Sequence, residues 1–168
     1  ISLLCKKYKK KIIVDAMSSF GGININIQKN NIDALISSAN KCLEGIPGFS
    51  FSIIKKKSLY KSKTNAHSLS LDLFDQWKGF LKNGQWRFTP PTHSIVALSS
   101  ALEQLKKEGG ITNRNKRYKK NYQTLINGMN KMGFKSYLDN NLHSPIIVSF
   151  KMPKNQKFNF NFFYNNLS

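Results

Sequence analysis

Short apolar runs alternate with longer helical stripes along this chain. Ile12–Val14, Asp33–Ser38 and Phe49–Ile54 are mostly apolar runs of three to six residues, and glycine, asparagine or proline flanks them. Such runs predict strands, the first of them buried on both faces. Isoleucines alternate with asparagines over residues 23–27, which predicts a half-exposed extended segment. Three short strands with glycine-rich joints predict one edge of an α/β sheet.

Apolar spacing of three and four residues takes over after residue 72. It predicts a helix from Asp72 to about Gly84, and a second helix with a threonine or serine cap at residues 92–94. The second helix is expected to end at Gly109-Gly110, which is also the best candidate for a domain boundary. A third helix is predicted over residues 112–133.

The third helix has two chemically different faces. Tyrosine, leucine and methionine lie on one face, and Arg114, Arg117 and two lysines lie on the other, which predicts a packed face and a solvated one. Beyond it, residues 134–138 and 145–150 predict strands, and residues 158–167 predict a final helix.

Composition narrows the class of protein. With 168 residues and 40% hydrophobic content, the chain is globular rather than disordered. The chain contains no run of eighteen apolar residues, so no membrane span is predicted. The net charge of +19 leaves a nucleic-acid-binding fragment open as an alternative. The lysines are scattered, however, and no recognition helix, zinc spacing or aromatic RNA-binding motif accompanies them, which favours a solvated basic surface.

Two polar residues follow the first two predicted strands. Asp15 ends the first strand, in VDAMSSFGG at residues 14–22, and Lys41 follows the second, in SSANKCLEG at residues 37–45. A pyridoxal phosphate enzyme needs such a pair: a buried carboxylate keeps the pyridinium nitrogen protonated, and a lysine forms the Schiff base. Spacing alone does not decide this, because a lone aspartate is commonly a turn former and a lone lysine is commonly solvated.

The sequence around both residues carries a family resemblance. The blocks VDAMSSFGG, SSANKCLEGIPGF, SLSLDLFDQW, WRFTPPTH and LHSPII occur in this order. Together they resemble the class V aminotransferases of fold type I, from about residue 1 to about residue 150. By this resemblance the implied activity is transfer of the amino group of 2-aminoethylphosphonate to pyruvate, giving phosphonoacetaldehyde and L-alanine. An alanine–glyoxylate or serine–pyruvate aminotransferase is the alternative within the family.

The resemblance also implies the roles of individual residues. Asp15 pairs with the pyridinium nitrogen of pyridoxal 5'-phosphate, and Lys41 is the Schiff-base lysine. Met17 packs against the cofactor ring, and Asn40 donates to its phosphate. Thr89 reaches the phosphate bound by the neighbouring subunit, so a homodimer is expected.

Domain organisation follows from the same resemblance. Residues 1–109 correspond to the C-terminal part of the cofactor-binding large domain, with its mixed, mostly parallel sheet. Residues 110–168 correspond to part of a small C-terminal α+β domain. The expected glycine-threonine phosphate loop and the substrate-binding arginine have no match in the chain. We therefore expect a cytoplasmic enzyme of which this chain is an internal fragment, inactive alone.

Other reactive side chains give weaker signals. The three histidines, His67, His93 and His143, favour structural roles. Cys5 and Cys42 are expected to be reduced thiols, and they lack the spacing of a metal site. Cys42 adjoins Lys41, whereas a cysteine desulfurase places its reactive cysteine on a separate mobile loop.

Overall fold

The computed structural model describes residues 1–155 and 157–167. Two compact units divide the chain, Ile1–Thr112 and Asn113–Ser168. The elements in chain order are α1 (Ser2–Lys7), β1 (Ile13–Asp15), β2 (Ala34–Ser38), β3 (Ser50–Ile54), α2 (Lys56–Lys61), α3 (Leu73–Asn83), α4 (Thr92–Lys107), α5 (Gly110–Lys131), a short 3-10 helix (Asn140–Leu142) and α6 (Phe160–Asn165).

The first unit is built on a mixed three-stranded sheet in the order β1-β2-β3. β1 pairs with β2 in parallel, with Val14 opposite Leu35, and β2 pairs with β3 in antiparallel register, with Leu35 opposite Ile53. All three predicted strands are confirmed. The expectation that β1 is buried on both faces is wrong, because Ile13 is 71% exposed at the outer position of the sheet.

The core of this sheet is small and apolar. Ala16, Ile32 and Leu35 are buried together, and Ile25 and Ile27 pack against them. The 23–27 segment forms no regular strand, and only an isolated bridge joins Phe20 to Ile23. The isoleucines of this segment are nevertheless half-buried and the asparagines exposed, as predicted. The alternation therefore indicated which side chains face the core, but not whether the backbone pairs with a strand.

Helices α3 and α4 follow the sheet. Asp72 caps α3 by accepting a hydrogen bond from Asp75 N–H at 3.0 Å, and Gly84 ends the helix at φ +72°. α4 begins at Thr92 without a side-chain cap, so the predicted threonine or serine cap is wrong. The hydroxyl of Ser94 instead donates to Pro47 O at 3.1 Å.

Gly109, at φ +94°, lies between α4 and α5, and Gly110, at φ +76°, is the first residue of α5. α5 confirms the predicted third helix, but its polar face is not uniformly solvated. Arg114 is only 2% exposed, whereas Leu125 on the apolar face is 47% exposed. The assignment of Arg114 to a solvated face is therefore wrong.

The described residues of the second unit have aromatic packing in place of a sheet. The predicted strands around residues 134–150 are reduced to one bridge between Ser136 and Phe150. Phe134 packs against Phe158 and Phe163, with ring centroids 6.0 and 5.7 Å apart. His143 lies between Tyr122 Oη, which contacts its Nδ1, and Leu138 O, 2.7 Å from its Nε2.

Candidate active site

Two parallel strands end side by side at the carboxyl edge of the sheet. Asp15, the last residue of β1, lies opposite Ile36, and β2 continues to Ser38 before Asn40 and Lys41. Ala16 N–H donates to Ile36 O at 2.8 Å, so the two chains remain adjacent one residue past the end of β1. Ligands of α/β sheets bind outside the carboxyl ends of the strands, at the edge where these residues lie.

The loops that leave β1 and β2 pack against each other. The Cys42 thiol donates to Ser18 O at 3.1 Å, and Leu43 is only 2% exposed. Gly21 lies so close to Leu43 that an added Cβ would come within 2.7 Å of Leu43 Cδ2. Close packing of the two loops fixes the backbone from which Asp15 and Lys41 project.

Asp15 is oriented by its own loop. Its Oδ1 accepts a hydrogen bond from Met17 N–H at 2.9 Å, an Asx-type turn that restricts the carboxylate. The side chain was expected to be buried and is exposed, because β1 is the outer strand of the described sheet. An exposed carboxylate with a restricted orientation can accept a cationic ligand group.

The other predicted residues of this edge are also exposed. Asn40 and Lys41 lie in the turn directly after β2, and Met17 is 42% exposed. The edge therefore offers a carboxylate, an amine, an amide and an apolar side chain. This donor set fits pyridoxal phosphate, which has a ring nitrogen, an aldehyde, a phosphate and an apolar ring face to be held.

Thr89 lies elsewhere in the same unit. It is exposed in the segment between α3 and α4, where residues 84–90 line an open concavity of about 930 Å³ that includes none of the strand-end residues. Arg87 fastens this segment: its Nη1 donates to Leu69 O at 3.0 Å, and its Nη2 lies 4.0 Å from Asp75 Oδ2. The structure thus presents Thr89 on an anchored, outward-facing segment, separate from the carboxyl edge.

A second charged centre, which no sequence motif predicts, lies at the opposite, amino edge of the sheet. Asp33 Oδ2 accepts from Ile12 N–H at 3.0 Å, and its Oδ1 accepts from Ser58 Oγ at 2.9 Å and Lys11 Nζ at 3.2 Å. The hydrogen bond from Ile12 N–H, helped by those from Ser58 and Lys11, outweighs burial and lowers the pKa of Asp33 to about 2. Its partners lie more than twenty residues away in sequence, so no local pattern could reveal them.

Metal-ligand clusters and membrane-spanning helices are both absent from the described residues. Among residues 1–155 and 157–167, no group of three or more histidine, cysteine or acidic side chains is arranged to hold a metal ion. The helices in this part of the chain include none with the length and hydropathy needed to cross a bilayer.

Comparison with known proteins identifies the family. The profile of the Aminotransferase class-V family matches residues 1–164. The chain is 49% identical over 168 residues to a 2-aminoethylphosphonate–pyruvate transaminase of Klebsiella pneumoniae and 48% identical to that of Salmonella typhimurium, covering 99% of this chain in each case. The chain belongs to the class-V aminotransferases. It spans 46% of the length of these curated relatives.

Solved structures support the same fold. A pyridoxamine–pyruvate aminotransferase from Mesorhizobium loti superposes with a TM-score of 0.81 at 25% identity, covering 92% of this chain and 40% of that one. An alanine–glyoxylate aminotransferase from Nostoc superposes with a TM-score of 0.79 at 20% identity, covering 91% and 41%. The predicted α/β fold of type I is confirmed. Class-V aminotransferases depend on pyridoxal 5'-phosphate, so the predicted cofactor is confirmed for the family.

Proposed function

We propose that the full-length protein transfers the amino group of 2-aminoethylphosphonate to pyruvate, giving phosphonoacetaldehyde and L-alanine in the cytoplasm. The observation that carries the proposal is the position of Asp15 and the Asn40-Lys41 turn, which lie at the same carboxyl edge of adjacent parallel strands. The chain in which they do so is 49% identical to a transaminase of that name. The four exposed side chains of that edge have the chemistry that the cofactor and the reaction require.

Three residues of the carboxyl edge hold the cofactor without a covalent bond. Bound pyridoxal phosphate supplies an electron-accepting ring that takes up the charge developing at the substrate carbon. Asp15 accepts a charge-assisted hydrogen bond from the ring nitrogen and keeps it protonated. Met17 packs against the ring, and Asn40 donates to the phosphate.

Lys41 has the reactive role. Its Nζ would hold the cofactor aldehyde. As a free amine, Lys41 would remove the proton from the amine-bearing carbon of the substrate. General-base action of this kind contributes on the order of 10²–10⁴-fold to the rate.

Thr89 completes the site of a neighbouring subunit in a homodimer. Its support is the outward-facing segment 84–90, which Arg87 fastens to the start of α3. An anchored segment can place a hydroxyl reproducibly on the phosphate of the partner's cofactor, since little conformational entropy remains to be lost.

The first experiment measures products and the attachment site in the full-length protein. We expect L-alanine and phosphonoacetaldehyde from 2-aminoethylphosphonate and pyruvate, and borohydride reduction should fix the cofactor to the peptide containing Lys41. Lys41→Ala should abolish both signals, and Lys119→Ala, an exposed lysine on α5, should change neither. Label on another lysine would overturn the role of Lys41. Faster turnover of alanine with glyoxylate, or of serine with pyruvate, would assign a different substrate.

A second experiment tests the role of Thr89 in trans. Lys41→Ala and Thr89→Ala subunits are each expected to form impaired homodimers. Co-expression should give heterodimers with one intact site, because both substitutions then fall in the other site. Activity well above that of either homodimer supports the arrangement, and activity no greater than their average contradicts it.

A further inference from the structure

The amino edge of the sheet contains a hollow lined mostly by lysines. It has a volume of about 480 Å³, and its lining includes seven lysines and a single acid, Asp33. Two of the lysines, Lys11 and Lys55, approach the Asp33 carboxylate at 3.2 and 3.8 Å. The remaining lysines are not neutralised by any acid of the lining.

The unbalanced lysines come from separate parts of the chain. Lys6 lies on α1, Lys9 and Lys10 lie in the turn before β1, and Lys57 and Lys61 lie on α2. Within residues 1–155 and 157–167, none of these five ammonium groups has a hydrogen-bond or ion-pair partner. Segments distant in sequence therefore converge on one concave surface, where the ammonium groups of these five lysines remain available to bind an anion.

Asp33 organises this surface rather than neutralising it. Its side chain is only 9% exposed and accepts hydrogen bonds from Ile12 N–H, Ser58 Oγ and Lys11 Nζ. These bonds tie the start of β1 to α2, so that the lysines of both segments face one hollow. One carboxylate against seven lysines leaves six positive charges in the lining.

Such a concentration of like charge is unfavourable without an anion. The Debye length is about 8–10 Å at physiological ionic strength, so charges around so small a hollow repel one another with incomplete screening. A multiply charged anion removes the repulsion and gains charge-assisted hydrogen bonds from ammonium groups that have no other partner. The volume of the hollow, about 480 Å³, lies within the range of about 300–1,000 Å³ that is typical of small-molecule sites. A hollow of this size is too small to enclose a nucleic-acid duplex.

We propose that the hollow between α1, the start of β1 and α2 binds a small, multiply charged phosphate anion, at a site separate from the carboxyl edge that holds Asp15 and Lys41. The ligand class is a free di- or triphosphate, with several oxygens to accept from lysines of both segments. The site does not depend on the proposed transaminase reaction.

The test is calorimetric titration of the full-length holoenzyme with pyrophosphate and with tripolyphosphate. We expect one anion per subunit, tighter binding of the more highly charged tripolyphosphate, and a rise in melting temperature with either ligand. Lys57→Gln/Lys61→Gln and Lys6→Gln/Lys10→Gln each remove two cations from one side of the hollow. Each should weaken binding about tenfold or more.

A matched control separates this site from the general positive charge of the protein. Lys119→Gln/Lys120→Gln also removes two exposed lysines, on α5, and should change the affinity less than about twofold. Equal losses in all three double variants would overturn the proposal, because binding would then depend on net charge alone. Pyrophosphate binding that survives both hollow variants would overturn it by placing the anion elsewhere, such as the cofactor edge. Tighter binding of a short DNA duplex, lost in the hollow variants, would assign the surface to nucleic acid and overturn it as well.

Discussion

The two edges of the sheet give an aspartate opposite environments, one exposed and the other nearly buried. At the carboxyl edge, Asp15 is exposed and accepts one hydrogen bond, from Met17 N–H, that sets its direction. At the amino edge, Asp33 is nearly buried, and its two oxygens accept from a backbone amide, a hydroxyl and an ammonium group. The lowered pKa of Asp33 means that its ionised form stabilises the fold, whereas a charge that is only oriented, like that of Asp15, is available to a ligand.

Lysines repeat the contrast. The turn after β2 presents Lys41 beside Asn40, in a short loop held by the packing of Leu43 against Gly21. The amino edge gathers seven lysines around one carboxylate. Chemistry at a single reacting atom requires one well-placed amine, while attraction of a polyanion requires several cations whose individual positions matter less.

Asp15→Asn gives the largest effect expected from this comparison. The amide oxygen can still accept from Met17 N–H, so the turn is kept and only the charge is removed. Asp15 is exposed in the structure, but a bound cofactor ring would cover its carboxylate and bury the ion pair. Losing one partner of a buried ion pair costs about 3–5 kcal/mol, and we therefore expect the rate of alanine formation to fall on the order of 10²–10⁴-fold. Steady-state kinetics on the full-length enzyme measure the fall.

The same variant should hardly change the stability of the cofactor-free protein. Asp15 is exposed, and surface substitutions generally stay within about 0.5 kcal/mol in urea unfolding. Activity within about tenfold of the unsubstituted enzyme would show that Asp15 does not hold the ring nitrogen. A large loss of stability would show that the two aspartates are less different than the structure indicates.

Asp33→Asn should lower stability and leave the catalytic rate nearly unchanged, and its effect on stability should depend on pH. The folded-state pKa of Asp33 is lowered from 3.8 to about 2, so its charge stabilises the fold fully above the higher value and progressively less as the pH falls through the lower one. The free energy of unfolding of Asp33→Asn should be lower than that of the unsubstituted protein by about 2 kcal/mol near neutral pH, and this difference should narrow toward about pH 2. Urea unfolding at a series of pH values measures it.

A control for this experiment is Asp139→Asn, which removes an exposed carboxylate that makes no side-chain cap. Its effect on stability should be small at every pH. The rate per folded Asp33→Asn molecule should stay within a few-fold of the unsubstituted enzyme, because the substitution lies at the opposite edge from Lys41. A stability difference that did not change with pH would mean that Asp33 acts through packing rather than through its charge.

Local patterns predicted much of the fold. The apolar runs located all three strands, and α3 was bounded by a capping aspartate and a terminal glycine. α2 escaped prediction because its six residues, KKSLYK, carry no cap and no apolar periodicity. Arg114 was misplaced because helical spacing reports the average polarity of a face and cannot show that one charged residue on it is buried.

The two edges were not equally predictable. Asp15 and Lys41 could be singled out because each directly follows an apolar strand, and parallel pairing then brings two strand ends together. The environment of Asp33 depends on Lys11 and Ser58, which are 22 and 25 residues away, and on segments that meet only in the folded chain. The lysine runs alone predict a solvated surface, because their convergence on a single hollow is a tertiary property.

The difference between Gly21→Ala and Gly133→Ala is the smallest expected effect, and it tests how tightly the loops of the carboxyl edge are packed. Gly21 has φ +93°, and an added Cβ would lie 2.7 Å from Leu43 Cδ2; Gly133, at φ +88°, has no atom within 4 Å of the same position. Both alanine variants incur the conformational strain of about 1–2 kcal/mol, but only Gly21→Ala also crowds Leu43, for about 1 kcal/mol more. Urea unfolding of the two variants isolates that difference, and titration with pyridoxal phosphate should show weaker cofactor binding for Gly21→Ala alone. Equal stability losses and unchanged cofactor affinity would mean that Leu43 yields easily, and that the two strand-end loops do not set the position of Lys41 relative to Asp15.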